Sequence, residues 1–218
     1  MIARNPARAL SVALLLIGLA LISASALAQG SLAVFTAQKS IGANTFTSDP
    51  CFPNNNTGFR SPSAQVADTG GDGDGFEVSP TNAFADGGGY AENTNGPGDR
   101  HRYYNYGISI DASCTISGIQ VRLDWWLSST TDTNSMSVAL SWDGGTSWTA
   151  AKTDTVETTT EHTTVLGGST DTWGRAWTAA ELSNANFRVR ITNNCSGSFC
   201  SLRDYFLDWV PVKAYYGP

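Results

Sequence analysis

Hydrophobic and polar residues alternate with a period of two along several short runs of the chain. In Ile119–Trp125, apolar side chains occupy every second position, with glutamine, arginine and aspartate between them, and Phe187–Ile191 repeats the pattern with Arg188 and Arg190 at the polar positions. This alternation is typical of antiparallel strands with one buried face, so we interpret the two arginines as the solvated face of a strand. The pattern predicts strands over Tyr103–Ile110, Ile116–Leu127, Met136–Trp142, Asn186–Thr192 and Tyr205–Tyr216.

Helical periodicity is nearly absent after residue 28, apart from one turn at 179–184. Residues 54–100 are crowded with Gly, Asn, Asp and Pro, and Phe76–Val78 and Gly89–Ala91 are their best strand fragments. A segment of this length and composition either orders around a ligand or stays mobile. We predict an all-β fold, an antiparallel jelly-roll-like β-sandwich, formed by residues 51–218 as one domain.

The N-terminus has the layout of a secretory signal peptide. Met1–Ala28 contains two arginines, then an uncharged apolar run from Ala9, and ends in Ala26-Leu27-Ala28. We predict cleavage between Ala28 and Gln29, and a protein that is secreted to the exterior or the cell surface. The alternative is an uncleaved anchor, since the run is long enough to span about 30 Å of hydrocarbon. The membrane is then a partner only through this signal segment before cleavage.

Charge argues against a nucleic-acid partner. The formal net charge is −6, and loss of two arginines and no acid with the signal peptide changes it to −8. An acidic chain repels phosphate backbones, and no basic stripe with interleaved aromatic residues is visible in the sequence.

Four cysteines predict two disulfides, because an even number in an exported chain is typical of a disulfide framework with three pairings open. The short loop between Cys195 and Cys200 favours a local bridge, which leaves Cys51 to join Cys114. A zinc site is disfavoured, because no C-x-x-C pair is present and neither histidine lies at a metal-ligand spacing from a cysteine.

A Gly-rich acidic segment is the first candidate for an ion. Hard oxygen ligands on a flexible loop suit calcium, and the candidate ligands are Asp68, Asp72, Asp74 and Glu77. The spacing does not complete an EF-hand, and a solvated acidic turn is the alternative. Both interpretations remain open.

Ser141–Trp148 matches the Asp-box pattern S-x-D-x-G-x-[ST]-[WF]. Asp143 can accept hydrogen bonds from the turn, the two glycines can adopt positive φ, and Trp148 can pack beneath it. The box occurs once, without a 40–50-residue repeat, so it predicts a stabilised hairpin and not a glycosidase propeller.

The residues after the signal peptide read Leu32-Ala-Val-Phe-Thr and then Gly42-x-Asn44-Thr-Phe-Thr. They resemble the start of mature TasA/camelysin-type secreted fibre proteins, although the usual Asp after the first Phe-Thr is Ala37 and Ala43 is inserted. The resemblance implies a β-rich subunit of an extracellular fibre, with residues 29–50 as an N-terminal strand arm donated to the next subunit. The residues expected in that inter-subunit strand are Leu32, Val34, Phe35 and Phe46.

The body, through Tyr106–Ile110, Thr115–Val121 and Phe206–Val212, resembles jelly-roll surface proteins and carbohydrate-binding modules. This resemblance implies a structural calcium held by Asp86 and Asp208. Sugars stack on exposed aromatic rings, so the candidate sugar or partner platforms are Trp125, Trp126, Trp173 and Trp177. At least one of the adjacent Trp125 and Trp126 must point away from the core if both lie on one regular strand.

Known catalytic motifs are absent from the sequence: it has no G-x-S-x-G, H-E-x-x-H or P-loop, and no carboxylate pair can be assigned for glycoside hydrolysis. We therefore expect no enzyme. The first interpretation is a structural subunit of a surface filament or matrix that assembles with itself head to tail. The alternative is a secreted carbohydrate-binding or adhesive module with a polysaccharide partner. Calcium is the one candidate cofactor.

Overall fold

The computed structural model describes residues 49–94 and 96–218, and residues from Asp49 onward form one compact unit. The predicted signal peptide and the predicted inter-subunit strand lie outside the described residues, including Leu32, Val34, Phe35 and Phe46. Within the described part, no helix is both long and apolar enough to cross a membrane.

Eleven strands and three short 3₁₀ turns make up the described unit. The strands are β1 (Asn55–Asn56), β2 (Ala64–Asp68), β3 (Ala91–Asn93), β4 (Arg100–Tyr104), β5 (Thr115–Leu127), β6 (Thr133–Ser141), β7 (Lys152–Asp154), β8 (His162–Gly167), β9 (Arg188–Ser196), β10 (Tyr205–Trp209) and β11 (Val212–Gly217). The 3₁₀ turns are Pro80–Ala83, Ala179–Leu182 and Cys200–Leu202. The second of these confirms the predicted turn, and Thr178 and Glu181 form a capping box at its start.

The strands form two antiparallel sheets. The six-stranded sheet has the order β1-β11-β5-β10-β3, with β8 on the other edge of β5, and the five-stranded sheet has the order β2-β4-β9-β6-β7. The predicted all-β, jelly-roll-like sandwich is therefore confirmed. Strand β5 explains why: its inward positions, Ile119, Val121, Leu123 and Trp125, are fully buried against the facing sheet.

Several strand predictions need correction. The strand predicted over Tyr103–Ile110 ends at Tyr104, because Asn105 adopts a left-handed conformation (φ 61°) that terminates an extended segment. Strands β1, β2, β7 and β8 were not predicted. In the Gly-rich part, Val78 forms one isolated bridge with Glu92, and the second predicted fragment is β3, displaced to begin at Ala91.

Both predicted disulfides are present, Cys51–Cys114 and Cys195–Cys200. The first joins the beginning of the described unit to the residue before β5. The second closes the loop between β9 and β10. Two disulfides fit an oxidising compartment.

A buried polar contact joins the two sheets at one side of the sandwich. Asp154, on edge strand β7, accepts a 2.8 Å hydrogen bond from Nε1 of Trp125 in the facing sheet. Its Oδ2 also lies 2.8 Å from Nε2 of His162 on β8, and its Oδ1 accepts the backbone N–H of Val156. Trp125 is fully buried, so this carboxylate satisfies a donor that has no access to water.

Candidate functional site

Three aromatic rings pack together on the outer face of the six-stranded sheet; we call them the aromatic cluster. Trp126 on β5 faces away from the core because its neighbour Trp125 faces into it, and Phe206 lies directly opposite Trp126 on β10. Their ring centroids are 5.3 Å apart in a stacked arrangement, and Tyr90 meets both edge-on at 5.2 and 5.0 Å. Tyr90 is 41% exposed. The cluster therefore offers aromatic surface to solvent.

Two residues further along the same strands lies a group of charged side chains, which we call the charged cluster. Carboxylate oxygens of Asp86, Asp124 and Glu161 lie within 4.8 Å of one another. Arg122 contacts Asp124 at 2.8 Å and Asp86 at 3.4 Å. Asp208 on β10 accepts a 2.8 Å hydrogen bond from the backbone N–H of Gly87. The sheet thus aligns Trp126 with Asp124 on one strand, and Phe206 with Asp208 on the next.

Burial and like charge shape the electrostatics of the charged cluster. Burial, with Asp86 and Asp124 nearby, raises the pKa of Asp208 above its ordinary value. Burial also raises the pKa of Glu161, and the negative charges of Asp208 and Asp124 add to the effect. Asp124 is fully buried, and Thr163 donates a 2.5 Å hydrogen bond to it. Charged and polar groups are thereby held in fixed positions at the margin of the aromatic cluster.

Further aromatic and polar side chains continue the same face toward the other end of β5. The guanidinium of Arg122 lies 4.7 Å from the ring centroid of Trp209, whose Nε1 donates to Ser61. Beyond it, the hydroxyl of Tyr215 donates to Gln120 at 3.0 Å. From Trp126 to Gln120 the strand rises about 20 Å at 3.3 Å per residue. Aromatic and polar side chains of this face therefore extend well beyond the aromatic cluster.

A second acidic group lies on the Gly-rich loop. Asp72, Asp74 and Asp99 bring carboxylate oxygens within 4.8 Å of one another. Asp99 is buried and accepts the backbone N–H of Asp72 at 2.9 Å and the side-chain amide of Asn93 at 2.8 Å. Gly71 has φ 58° and would bring a Cβ within 2.0 Å of the Asp99 carboxylate, so this position requires glycine.

Mutual repulsion in this loop shows in the pKa values. A hydrogen bond between the two carboxyl groups raises the pKa of Asp74 to about 6 and lowers that of Asp72. Burial raises the pKa of Asp99. Glu77 lies close enough to raise the pKa of Asp74 further, and its buried Oε2 has no hydrogen-bond partner within the described residues. Carboxylates held this close repel one another, and a bound cation would relieve that repulsion.

The structure groups the predicted calcium ligands differently from the sequence. Asp72 and Asp74 lie together with Asp99, and Glu77 lies near Asp74 but outside that group of three. Asp68 is not part of the group. It lies on the outer face of the five-stranded sheet, paired with Arg102. Asp86 and Asp208 are brought together, but beside Arg122, which already supplies positive charge.

Three of the four predicted tryptophan platforms are ruled out by burial. Trp125, Trp173 and Trp177 have at most 5% of their surface exposed, and Trp173 and Trp177 donate their indole N–H to backbone carbonyls. They are core residues because a thin sandwich obtains most of its buried apolar area from large rings. Trp126 alone of the four reaches the outer face.

The Asp-box hairpin forms as predicted. Oδ1 of Asp143 accepts the backbone N–H groups of Ser147 at 2.8 Å and Thr146 at 3.1 Å, and Gly144 and Gly145 both have positive φ. These bonds lower the pKa of Asp143. The hairpin places Trp148 over the five-stranded sheet, where Arg190 stacks on it.

Several residues of these groups escaped the sequence analysis: Tyr90, Asp99, Arg122, Asp124, Glu161 and Phe206. Two of them carried a usable signal, since Arg122 and Asp124 are polar positions of the alternating strand and so share a face with Trp126. The others are brought there by pairings between distant segments.

Comparison with known proteins identifies no family. No family model matches the chain, and no curated protein matches it. Solved structures similar to it include the CBM32 of AlyQ in complex with 4,5-unsaturated mannuronic acid, at 16% identity over 71% of this chain and 96% of that one, with a TM-score of 0.37.

Two further structures are a family two carbohydrate esterase from Cellvibrio japonicus and the CBM22-1-GH10 modules of a Clostridium thermocellum xylanase with xylohexaose. Their identities are 10% and 13%, and their TM-scores are 0.30 and 0.32. They align over 76% and 75% of this chain, which spans 34% and 27% of those proteins. At such TM-scores, ligand assignment depends on the geometry of this chain alone.

Proposed function

We propose that this chain is an exported, non-catalytic polysaccharide-binding module whose ligand lies on the outer face of the six-stranded sheet. The observation that carries the proposal is the aromatic cluster of Tyr90, Trp126 and Phe206 beside the charged cluster. Sugar rings have apolar faces that pack on aromatic rings and hydroxyl edges that need hydrogen-bond partners. Both requirements are met by adjacent positions of the same two strands.

The rings of the aromatic cluster have the composition and exposure of a contact surface. Exposed aromatic groups of this size are enriched in interaction surfaces, since Trp and Tyr supply large contact area at low conformational cost. The exposed carboxylates of the charged cluster, Asp86 and Glu161, accept hydrogen bonds from sugar hydroxyls, and Arg122 donates them. Because the buried Asp124 holds Arg122 at 2.8 Å, this donor needs little reorganisation when the ligand arrives.

The composition of this face favours a neutral glycan. The acids Asp86, Asp124, Glu161 and Asp208 outnumber the nearby Arg122, so a carboxylated or sulfated chain would be repelled. The length of the face favours an extended polymer over a single sugar.

We also propose that calcium binds at Asp72, Asp74 and Asp99 as a structural ion. The residues fit such an ion: three hard oxygen donors lie on a flexible loop, and the buried Oε2 of Glu77 lacks a partner within the described residues. Calcium would relieve the repulsion that raises the pKa of Asp74, and would order the loop that precedes β3 and Tyr90.

Native affinity electrophoresis through cellulose derivatives, xylan, mannan and mixed-linkage β-glucan tests the main proposal. We expect retardation in at least one neutral polysaccharide, and a loss of affinity of at least about tenfold in Trp126→Ala. Phe52→Ala is the matched control, because Phe52 is 44% exposed and lies next to Gly217, at the end of β5 opposite to Trp126. Equal retardation of the wild type and Trp126→Ala, or none in any gel, would reject the proposal.

Assembly into a filament stays a prediction. Its donated strand, including Phe35 and Phe46, lies outside the described residues, and the described sandwich supports the polysaccharide-binding alternative better.

A further inference from the structure

Four arginines lie together on the outer face of the five-stranded sheet; we call this the arginine face. Arg100 and Arg102 alternate on β4, and Arg188 and Arg190 alternate on β9, so all four side chains point away from the core. The register places Arg102 directly opposite Arg190. Like charges in this position destabilise a sheet unless a counter-charge is present.

The protein supplies little counter-charge. Among the described residues, Asp68 is the one carboxylate in ion-pair contact with any of the four, touching Arg102 and lying 3.7 Å from Arg190. Burial opposes ionisation of Asp68, but the Arg102 guanidinium outweighs it and holds the pKa of that carboxyl below its usual range. One negative charge therefore faces four positive charges, in a chain whose net charge is −6.

Aromatic rings hold the guanidinium groups in place. Arg190 lies 4.2 Å and Arg102 5.8 Å from the ring centroid of Trp148, which the Asp-box hairpin positions, and Arg188 lies 4.4 Å from the ring of Tyr104. The guanidinium of Arg188 donates to three backbone carbonyls of residues 184–187, so its donors are already in use. The side chains of Arg102 and Arg190 are 29% and 20% exposed, and stacked guanidinium groups of this kind are suited to binding carboxylates through paired hydrogen bonds.

We infer that the arginine face is a second binding site, which takes the carboxylate groups of an acidic, uronate-containing polysaccharide. The guanidinium groups would bind the carboxylates, while Val66, which is 45% exposed beside Arg102, and the ring of Trp148 offer apolar surface to the sugar rings. Uronates fit better than nucleic acids, because the net acidic chain repels every polyanion but most strongly duplex DNA, which carries one charge per about 1.7 Å of its axis. The inference stands apart from the neutral-glycan site, since the outer faces of the two sheets lie on opposite sides of the sandwich.

The probe is polygalacturonate, and its fully methyl-esterified form is the neutral control polymer. We expect the wild type to bind polygalacturonate with an affinity that falls steeply as salt is raised, and to bind the ester at least about tenfold more weakly. Equal binding of both polymers, or no binding of polygalacturonate, would overturn the inference. Tighter binding of dextran sulfate or of duplex DNA at equal charge would replace it with a general anion surface.

Variants locate the site. Arg190→Ala should weaken polygalacturonate binding at least about tenfold, whereas Arg60→Ala removes the same charge beside the other sheet and should change it less than twofold. Because Arg190→Ala leaves Asp68 less well paired, the double variant Arg102→Lys/Arg190→Lys is the second test. It keeps both charges and loses the planar guanidinium groups, and a folded protein with unchanged affinity would contradict the inference.

The variant Asp68→Asn should change the affinity in the opposite direction from the arginine variants, because the carboxylate of Asp68 competes with the ligand for Arg102. We expect unchanged or tighter binding of polygalacturonate, and a clear loss would contradict the proposed competition. Trp126→Ala should leave polygalacturonate binding intact. If Trp126→Ala lost both polygalacturonate binding and neutral-glycan binding, one site would serve both ligands, and a separate binding site on the arginine face would be rejected.

Discussion

The contact of Asp154 with Trp125 yields the most quantitative stability prediction. In Asp154→Ala, the indole N–H of a fully buried tryptophan loses its acceptor. A buried donor left unsatisfied costs about 1–3 kcal/mol, and a hydrogen bond to a charged partner lies in the upper part of that range. Val156 is exposed, so its N–H can turn to water, and the His162 side chain is 19% exposed, so each adds less than the buried indole. We expect a loss of about 2–3 kcal/mol, which for a domain of this size lowers Tm by roughly 4–12 °C.

Urea unfolding of four proteins measures the contact itself. The wild type, Asp154→Ala, Trp125→Phe and the double variant form a double-mutant cycle, in which the cavity left by the smaller ring cancels. We expect a coupling free energy between the two side chains of at least about 1 kcal/mol. Lys152→Ala is the control, because Lys152 and Asp171 form a partly exposed pair with about a third of each side chain exposed. The free energy of unfolding of Lys152→Ala should fall by less than about 1 kcal/mol.

A coupling free energy near zero, with Asp154→Ala as stable as the wild type, would refute the reasoning. It would mean that the indole N–H finds another acceptor or water, and that the contact between the two sheets does not contribute to stability.

Three further predictions concern ions, pH and the long disulfide. Calcium at about 100 times its Kd should stabilise the wild type by about 2.7 kcal/mol, which is measured as a higher Tm in calcium than in chelator. The variant Asp74→Asn should lose this gain in Tm. An equal Tm of the wild type in calcium and in chelator would exclude the ion. Burial lowers the pKa of His101 from 6.5 to about 4 in the folded protein. As the pH falls, His101 is protonated in the unfolded chain before it is protonated in the folded one. The free energy of unfolding should therefore fall by about 3 kcal/mol between pH 6.5 and 4. His101→Gln should show a flatter profile in urea titrations, and parallel profiles would contradict this. Replacing Cys51 and Cys114 by alanine should cost about 4 kcal/mol by loop-closure entropy, and an unchanged unfolding midpoint would show that the bridge is dispensable.

Local alternation predicts the central strands because one face of each is buried. Strand β5 appears within one residue of its predicted bounds, since its period-two pattern reflects the burial of Ile119 through Trp125. Strand β8 (His162–Gly167) escaped prediction because it pairs along the edge of β5 and buries none of its residues fully. The early end of β4 at Tyr104 depends on the left-handed conformation of Asn105, which the run Tyr103–Ile110 does not reveal.

The candidate site could be predicted only in part, for a similar reason. Alternation alone requires Trp125 and Trp126 to point to opposite faces, but not which of them is buried. Tyr90 and Phe206 reach Trp126 through the pairing of β3, β10 and β5, in which Phe206 pairs with Trp126, 80 residues away, and with Glu92, 114 residues away. Long-range pairing also separates Asp68 from the acidic loop, although it precedes Asp72 by only four residues.

The position of a neutral glycan on the outer face of the six-stranded sheet is the central claim, and the indole N–H signals of the protein test it most directly. The chain has seven tryptophans, each with its own signal in a two-dimensional NMR spectrum. Titration with cellohexaose, xylohexaose and mannohexaose should, for a binding oligosaccharide, shift Trp126 and Trp209 and leave the buried Trp125, Trp173 and Trp177 unchanged. Shifts confined to Trp148, or no shift with any oligosaccharide, would contradict the claim.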